Sequence, residues 1–264
     1  MSAIGCVPGE WRGYELEART DWIYRLTPQE VDEIDRALAC ARRAGKSFDT
    51  LEPEDFPLPT VAARLQEARR SLEEDYGLYV LRGLPMENRS LEDLRLIFWA
   101  IGKYMGTAVC QTYNGEFLGD VRDFGKNDGR LYNTNKAGGF HVDTCDVVGL
   151  FVIRPAKSGG LSLITSTVAI HNELARTRPD LLEVLYQDFY WKTTVPPPYN
   201  RDKPPFYRQP VFARVGDKLS CVWLPVKIRA AQGMPGVPTL TPKQEEALAV
   251  FEELAERDDF ILTM

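Results

Sequence analysis

Apolar residues recur at the three-and-four spacing of a helix with one buried face in several parts of the chain. Thr27-Pro28-Gln29-Glu30 reads as a helix start, with Thr as N-cap, Pro at the first helical position and Glu at the third. Val31, Ile34, Leu38 and Ala41 form the stripe that follows, and Gly45 marks its end. After a Pro-rich segment from Pro53 to Pro59, a second helix is predicted from Thr60, with Val61, Leu65, Ala68 and Leu72 on one face. Ser90-Leu91-Glu92-Asp93 caps a third, with the stripe Leu94, Ile97, Phe98, Ile101 and Met105. Thr167 to Arg176 and Pro179 to Asp188 also read as helical. Thr241-Pro242-Lys243-Gln244 repeats the start signal and opens a helix to Arg257.

Strand signals lie between and after these helices. Gly77 to Gly83 is a short strand bounded by glycines, and Thr107 to Tyr113 another. The continuous apolar run Val147 to Ile153 predicts a strand buried on both faces. Leu161 to Thr165 follows, then a hairpin of Phe206 to Arg214 and Lys218 to Leu224 about Gly216-Asp217, and finally Phe260 to Met264. Asp120 to Arg130 is polar and Gly-rich, a loop suited to be a lid, and Thr194 to Pro205 is a Pro-rich loop. No internal repeat is evident. Helices first and many short strands later predict an α+β domain built on a sandwich or barrel.

Composition narrows the function. The net charge of −6 lacks the basic excess of a nucleic-acid binder. Cys6, Cys40, Cys110, Cys145 and Cys221 are scattered and odd in number, which reads as reduced thiols in a cytoplasmic protein. Met1 to Tyr14 has no signal-peptide pattern, and no run approaches the roughly 20 apolar residues of a membrane span.

The chemistry concentrates in His141-Val142-Asp143. On extended backbone, residues two apart point the same way, so one imidazole and one carboxylate can grip one metal ion from one side. That is two thirds of the 2-His-1-carboxylate triad of non-haem Fe(II) oxygenases, which leaves positions open for cosubstrate and O2. The bland alternative is an inert polar pair at a strand end. The other histidine of the chain, His171, falls in a predicted helix, where a surface or packing role suits it better than metal ligation. Gln111, Tyr113 and Asn135 are substrate-orienting candidates at strand ends near the pair. Asn114 and Asn133 read as turn residues and Cys145 as a small buried one. Arg208, Arg229 and Lys227 either bind an acidic substrate or are solvated charges. A zinc hydrolase on His141 and Asp143 is a weaker reading, because such sites commonly need a further nearby His.

His-x-Asp, then a predicted buried strand, then Lys157-Ser158-Gly159-Gly160-Leu161-Ser162 entering a helix resembles the TauD/TfdA, or taurine dioxygenase-like, family from about Gly77 to the C-terminus. The resemblance implies a double-stranded β-helix (jelly-roll) core with flanking N-terminal and inserted helices. It implies one domain over 1–264, helical over about 20–105, with the core over about 106–264. It implies an Fe(II)- and 2-oxoglutarate-dependent dioxygenase that consumes O2 and oxidises, by hydroxylation, an unidentified small molecule. His141 and Asp143 then match the first iron ligands, and Ser162 matches the hydroxyl that contacts a 2-oxoglutarate carboxylate. A carboxylate at Asp143 occupies the iron position that a halide needs, which favours hydroxylation over halogenation. The family's distal His and its 2-oxoglutarate-binding Arg follow a Pro-Gly-Asp turn, and the expectation is that this sequence stops short of both. A catalytically inactive oxygenase fold that binds a ligand or partner is the second reading. A homo-oligomer is open by analogy with relatives; neither nucleic acid nor membrane is an expected partner.

Overall fold

The computed structural model describes residues 4–110, 116–125, 133–193 and 204–264. The chain divides into two compact units. One comprises Ala18–Gln111 with Val147–Leu161; the other comprises Met1–Glu17, Thr112–Asp146 and Ser162–Met264.

The first unit is built from the predicted helices α2 (Pro28–Arg43), α3 (Val61–Glu74) and α4 (Leu91–Met105). Strand β1 (Ile23–Arg25), absent from the sequence reading, pairs in parallel with β2 (Val80–Arg82). Ile34, Ala41, Phe56, Val61 and Ile97 are at the centre of its core. The N-terminus of α2 is a complete capping box: Thr27 Oγ1 accepts from Glu30 N at 3.3 Å and Glu30 Oε2 accepts from Thr27 N at 2.8 Å. Glu30 is buried, and its carboxylate is further bonded by the Tyr24 hydroxyl and by Arg64 Nε. The start of α3 is capped differently. Thr60 makes no side-chain cap. Instead the buried Glu33 of α2 accepts from Thr60 N and Val61 N, both at 2.9 Å. One carboxylate thus satisfies two otherwise orphaned amides of a neighbouring helix and places a negative charge at its positive end.

Two strand expectations fail here. Thr107 to Cys110 is irregular, and the rest of that expected strand, 111–113, lies outside the described residues. Val147 to Ile153 is not a buried strand: it forms no ladder, and Val148, Leu150 and Val152 are 54%, 69% and 69% exposed. An apolar run is buried only if a partner covers it; here Phe151 stacks on Phe98 at 5.5 Å while Val148, Leu150 and Val152 stay exposed.

The second unit begins with α1 (Gly13–Glu17), whose first residue lies against β8 (Ile261–Thr263). A Cβ on Gly13 would sit 1.9 Å from the Ile261 carbonyl oxygen, so no other residue allows that approach. β8 pairs antiparallel with β3 (Leu163–Thr165). α5 (Thr167–Thr177) and α6 (Pro179–Leu185) follow as predicted. β4 (Phe189–Lys192) buries Phe189 and Trp191 and turns Lys192 outward. The expected long hairpin arm from Phe206 is split. β5 (Phe206–Gln209) pairs with β4, Pro210 interrupts, and β6 (Phe212–Val215) forms the expected turn about Gly216-Asp217 with β7 (Lys218–Cys221). α7 (Pro225–Ala231) was not foreseen; α8 (Pro242–Ala255) was. Trp191, Phe212, Trp223, Phe251 and Phe260 form the centre of this core. Among the described residues the strands form two-stranded sheets and no closed barrel.

Two substitutions test these assignments by urea unfolding. Glu33→Ala strands the two amides and is expected to cost about 2 kcal/mol. Leu150→Asp is expected to change stability by less than about 0.5 kcal/mol, as for other surface positions. A large loss from the second would restore the buried strand read from the sequence.

Candidate metal centre

Phe140 and Val142 are half-buried and pack on the core of the second unit. The Val142 amide donates to the Trp223 carbonyl at 2.8 Å. That single bond replaces the ladder expected from the sequence: residues 141–143 are in no assigned strand. The alternation still holds, because Phe140 and Val142 turn inward while the His141 and Asp143 side chains are each 52% exposed. His141 Nε2 and Asp143 Oδ1 are 3.9 Å apart, too long for a hydrogen bond. Two donors that each bind an ion at about 2.1 Å can be separated by up to about 4.2 Å, so both can reach one ion.

The imidazole is prepared for that role. His141 Nδ1 lies 2.8 Å from the Gly139 carbonyl oxygen. A carbonyl can only accept, so Nδ1 carries the proton and Nε2 presents its lone pair. Tautomer and ring direction are therefore set by backbone. Lys227 is half-buried on α7. Burial pulls the Lys227 ammonium below the usual lysine range, and Asp143 opposes that pull.

Among the described residues no group of three or more His, Cys, Asp or Glu side chains gathers to hold a metal. His141 and Asp143 supply two donors. His171 supplies none: it is fully buried on α5, with Nδ1 at 3.1 Å from Asn172 Oδ1 and Nε2 at 2.9 Å from the Tyr186 hydroxyl. Its edge meets the Phe212 ring at 5.2 Å. It is a core residue, not a helix-surface one. The Asn172 amide beside it is saturated, accepting from Val7 N and donating to Val7 O and Glu10 Oε2, and so ties the N-terminal segment to α5.

Ser162 is exposed at the end of the β3–β8 ladder, its amide and carbonyl both paired with Met264 at 2.9 Å. The preceding Gly159 and Gly160 hold φ of 66° and 71°, and a Cβ on Gly160 would lie 2.8 Å from that of Ala156, so the small-residue turn read from the sequence is sterically required. Asn135 is exposed in a bend. Gln111, Tyr113 and Asn114 lie outside the described residues, as do residues 126–130 of the expected lid. Arg208 and Arg229 are engaged with Asp188 and with Glu252. Sequence reasoning missed the Gly139 and Trp223 carbonyls, because main-chain groups carry no residue-specific signal.

Residues 43–264 match the family described as taurine catabolism dioxygenase TauD, TfdA family, and the chain belongs to it. Two curated relatives share that membership. The chain is 31% identical over 265 residues to the taurine hydroxylase-like protein SAT17 of Stachybotrys chartarum, covering 94% of this chain and 66% of that protein. It is 29% identical over 264 residues to FR-33289 synthase of Streptomyces rubellomurinus, covering 96% of this chain and 76% of that protein. The chain thus spans roughly two thirds to three quarters of the relatives' length. Family and relatives together support an oxygenase. No described helix is long and apolar enough to cross a membrane.

The buried His171 makes stability depend on pH. Burial lowers its pKa below the ordinary value near 6.5, aided by Arg214 and opposed by Asn172. The unfolded chain therefore takes up a proton before the folded one does. His171 contributes full stability above about pH 6.5, and that contribution is lost as pH falls toward the lowered folded value. Urea midpoints measured from pH 7.5 to 5 should fall, and His171→Gln should show a shallower slope over that window.

Proposed function

We propose that the protein is an Fe(II)- and 2-oxoglutarate-dependent dioxygenase that hydroxylates a small molecule, working as one TauD/TfdA-like domain with a jelly-roll core. The observation that carries this reading is the His141–Asp143 pair: two metal-competent donors 3.9 Å apart, directed outward, with the imidazole tautomer locked by Gly139. Family membership supplies the iron and 2-oxoglutarate context.

In this reading His141 Nε2 and Asp143 Oδ1 hold two positions on the iron and leave the remaining ones to other groups. Iron with 2-oxoglutarate and O2 supplies the oxidant, and the protein supplies orientation. The Gly139 carbonyl keeps the His141 lone pair aimed, and the Trp223 carbonyl keeps the segment on the core. Asp143 would contribute the carboxylate oxygen of the pair, exposed on the same side as the imidazole. Ser162, with its main chain fixed by Met264, is the proposed hydroxyl partner of a 2-oxoglutarate carboxylate. Asn135, with Gln111 and Tyr113, is the proposed contact to the substrate.

Manganese(II) binding, read by electron paramagnetic resonance, and succinate release from 2-oxoglutarate with Fe(II) test the reading together. His141→Ala and Asp143→Ala should each weaken Mn(II) binding by more than about tenfold, the scale set by loss of merely supporting contacts. Both should also reduce iron-dependent succinate formation to background. Unchanged binding in both variants would remove the pair from the site.

A further inference from the structure

The β3–β8 ladder, which carries Ser162 at one end, is short and thinly covered. It pairs Leu163 with Thr263, Ile164 with Leu262 and Thr165 with Ile261, and the reciprocal bonds of Ser162 and Met264 continue it. Leu262 is buried, but Leu163 across the ladder is 51% exposed. Two strands of that length are marginal by themselves and need a body to lean on. Residues 7–13 supply one, at the end of the ladder opposite Ser162. They precede the residues that match the family. The segment runs as a strap from α5 to β8. Both main-chain polar groups of Val7 are bonded by Asn172 of α5, and Glu10 pairs with Arg176 of α5 at 2.7 Å. Arg12 then bonds Glu173 of α5 at 2.9 Å and Asp259 at 3.2 Å, with its guanidinium 3.7 Å from the centroid of the buried Phe260 ring. The Gly13 amide donates to the Asp259 carbonyl at 3.1 Å, and Gly13 packs on the Ile261 carbonyl, where no Cβ fits.

β3 continues through Ser166 into α5, and Asp259 and Phe260 lead into β8. Arg12 therefore spans the two segments that join the ladder at its far end. Arg257 makes a second bridge, to Glu173 at 3.4 Å and Asp259 at 2.9 Å, but its side chain is 41% exposed against 14% for Arg12. Water screens the more exposed pair, so Arg12 is the stronger tie. We propose that Arg12 and Gly13 are positioning residues for the cosubstrate: the strap keeps the β3–β8 ladder formed and so holds the Ser162 hydroxyl, three residues or about 10 Å along the strand. The assignment rests on the oxygenase reading for what Ser162 binds. It adds that affinity for 2-oxoglutarate depends on a segment outside the match to the family. Without the strap the ladder is formed in only a fraction of molecules, and apparent affinity falls by that fraction.

Amide hydrogen exchange on the metal-free protein, read residue by residue by nuclear magnetic resonance, tests the strap independently of any iron chemistry. Arg12→Gln should speed exchange at the Ser162 and Met264 amides about tenfold, as expected for loss of a hydrogen bond between charged groups. Gly13→Ala should speed it more, because the added Cβ pushes the strap off Ile261. Arg12→Lys keeps a charge without the fork and should recover part of the protection. The Val142 amide, held by Trp223 in the same unit, should exchange at the wild-type rate in all three. In turnover with Fe(II), the KM for 2-oxoglutarate should rise about twofold in Arg12→Gln and about fivefold in Gly13→Ala, with kcat little changed.

Unchanged exchange at Ser162 and Met264 in Arg12→Gln overturns the proposal, whether or not Gly13→Ala folds. So does an equal rise at Val142, which would report general loosening. So does faster exchange at Ser162 with the 2-oxoglutarate KM unmoved in a protein whose Ser162→Ala variant raises it. If Ser162→Ala itself leaves KM unmoved, the reading of Ser162 fails instead, and the exchange data still decide whether the strap holds the ladder.

Discussion

The stacking of Trp223 on Phe251 is the contact on which the candidate centre depends. The two rings lie 3.7 Å apart at 16° in the core of the second unit, and Trp223 is almost fully buried. An indole pinned in that way has little freedom, so its own carbonyl is a fixed point. That carbonyl receives the Val142 amide, and through it the segment from Gly139 to Asp143 is held without a strand ladder. α8, which carries Phe251, thereby acts at a distance on His141 and Asp143. The energetics follow from burial: aromatic pairs contribute beyond their buried area, whereas one main-chain hydrogen bond contributes about 1 kcal/mol net.

The same economy recurs elsewhere: single side chains saturate main-chain groups at a distance. Glu33 caps a neighbouring helix, and Asn172 grips both polar groups of Val7. The two-stranded sheets are short, so many amides lack ladder partners and must be satisfied by such contacts. Arg12 adds a charged version, lying over the Phe260 ring at 3.7 Å while bonding Glu173 at 2.9 Å and Asp259 at 3.2 Å. These contacts link the N-terminal segment, α5 and the approach to β8 within one unit.

His141 and His171 show how local surroundings divide one residue type between two jobs. Both are bonded through Nδ1. His141 bonds a carbonyl of its own loop and keeps Nε2 free and exposed. His171 uses both nitrogens inside an aromatic shell, which excludes it from metal binding and makes it a term in pH-dependent stability. The difference is one of access and of competing hydrogen bonds.

The sequence by itself determined the helices with complete start signals, because capping boxes and Pro at the first position are local chemistry: α2, α4 and α8 begin where Thr27, Ser90 and Thr241 place them. It also determined the Gly216-Asp217 turn, the Gly159-Gly160 turn and the family, since those rest on short-range steric rules and on residue order. Tertiary structure alone decided what covers what. Val147 to Ile153 is as apolar as a core strand, yet Val148, Leu150 and Val152 are exposed, because burial needs a partner surface that the run does not encode. Pro210 split one expected arm into two strands with different partners. The pair His141–Asp143 was legible as a spacing, but its tautomer lock and its clamp come from the Gly139 and Trp223 carbonyls, which residue identity does not reveal. Arg208, Arg229 and Lys227 were equivalent in sequence, and it was the folded chain that brought carboxylates within reach of the two arginines.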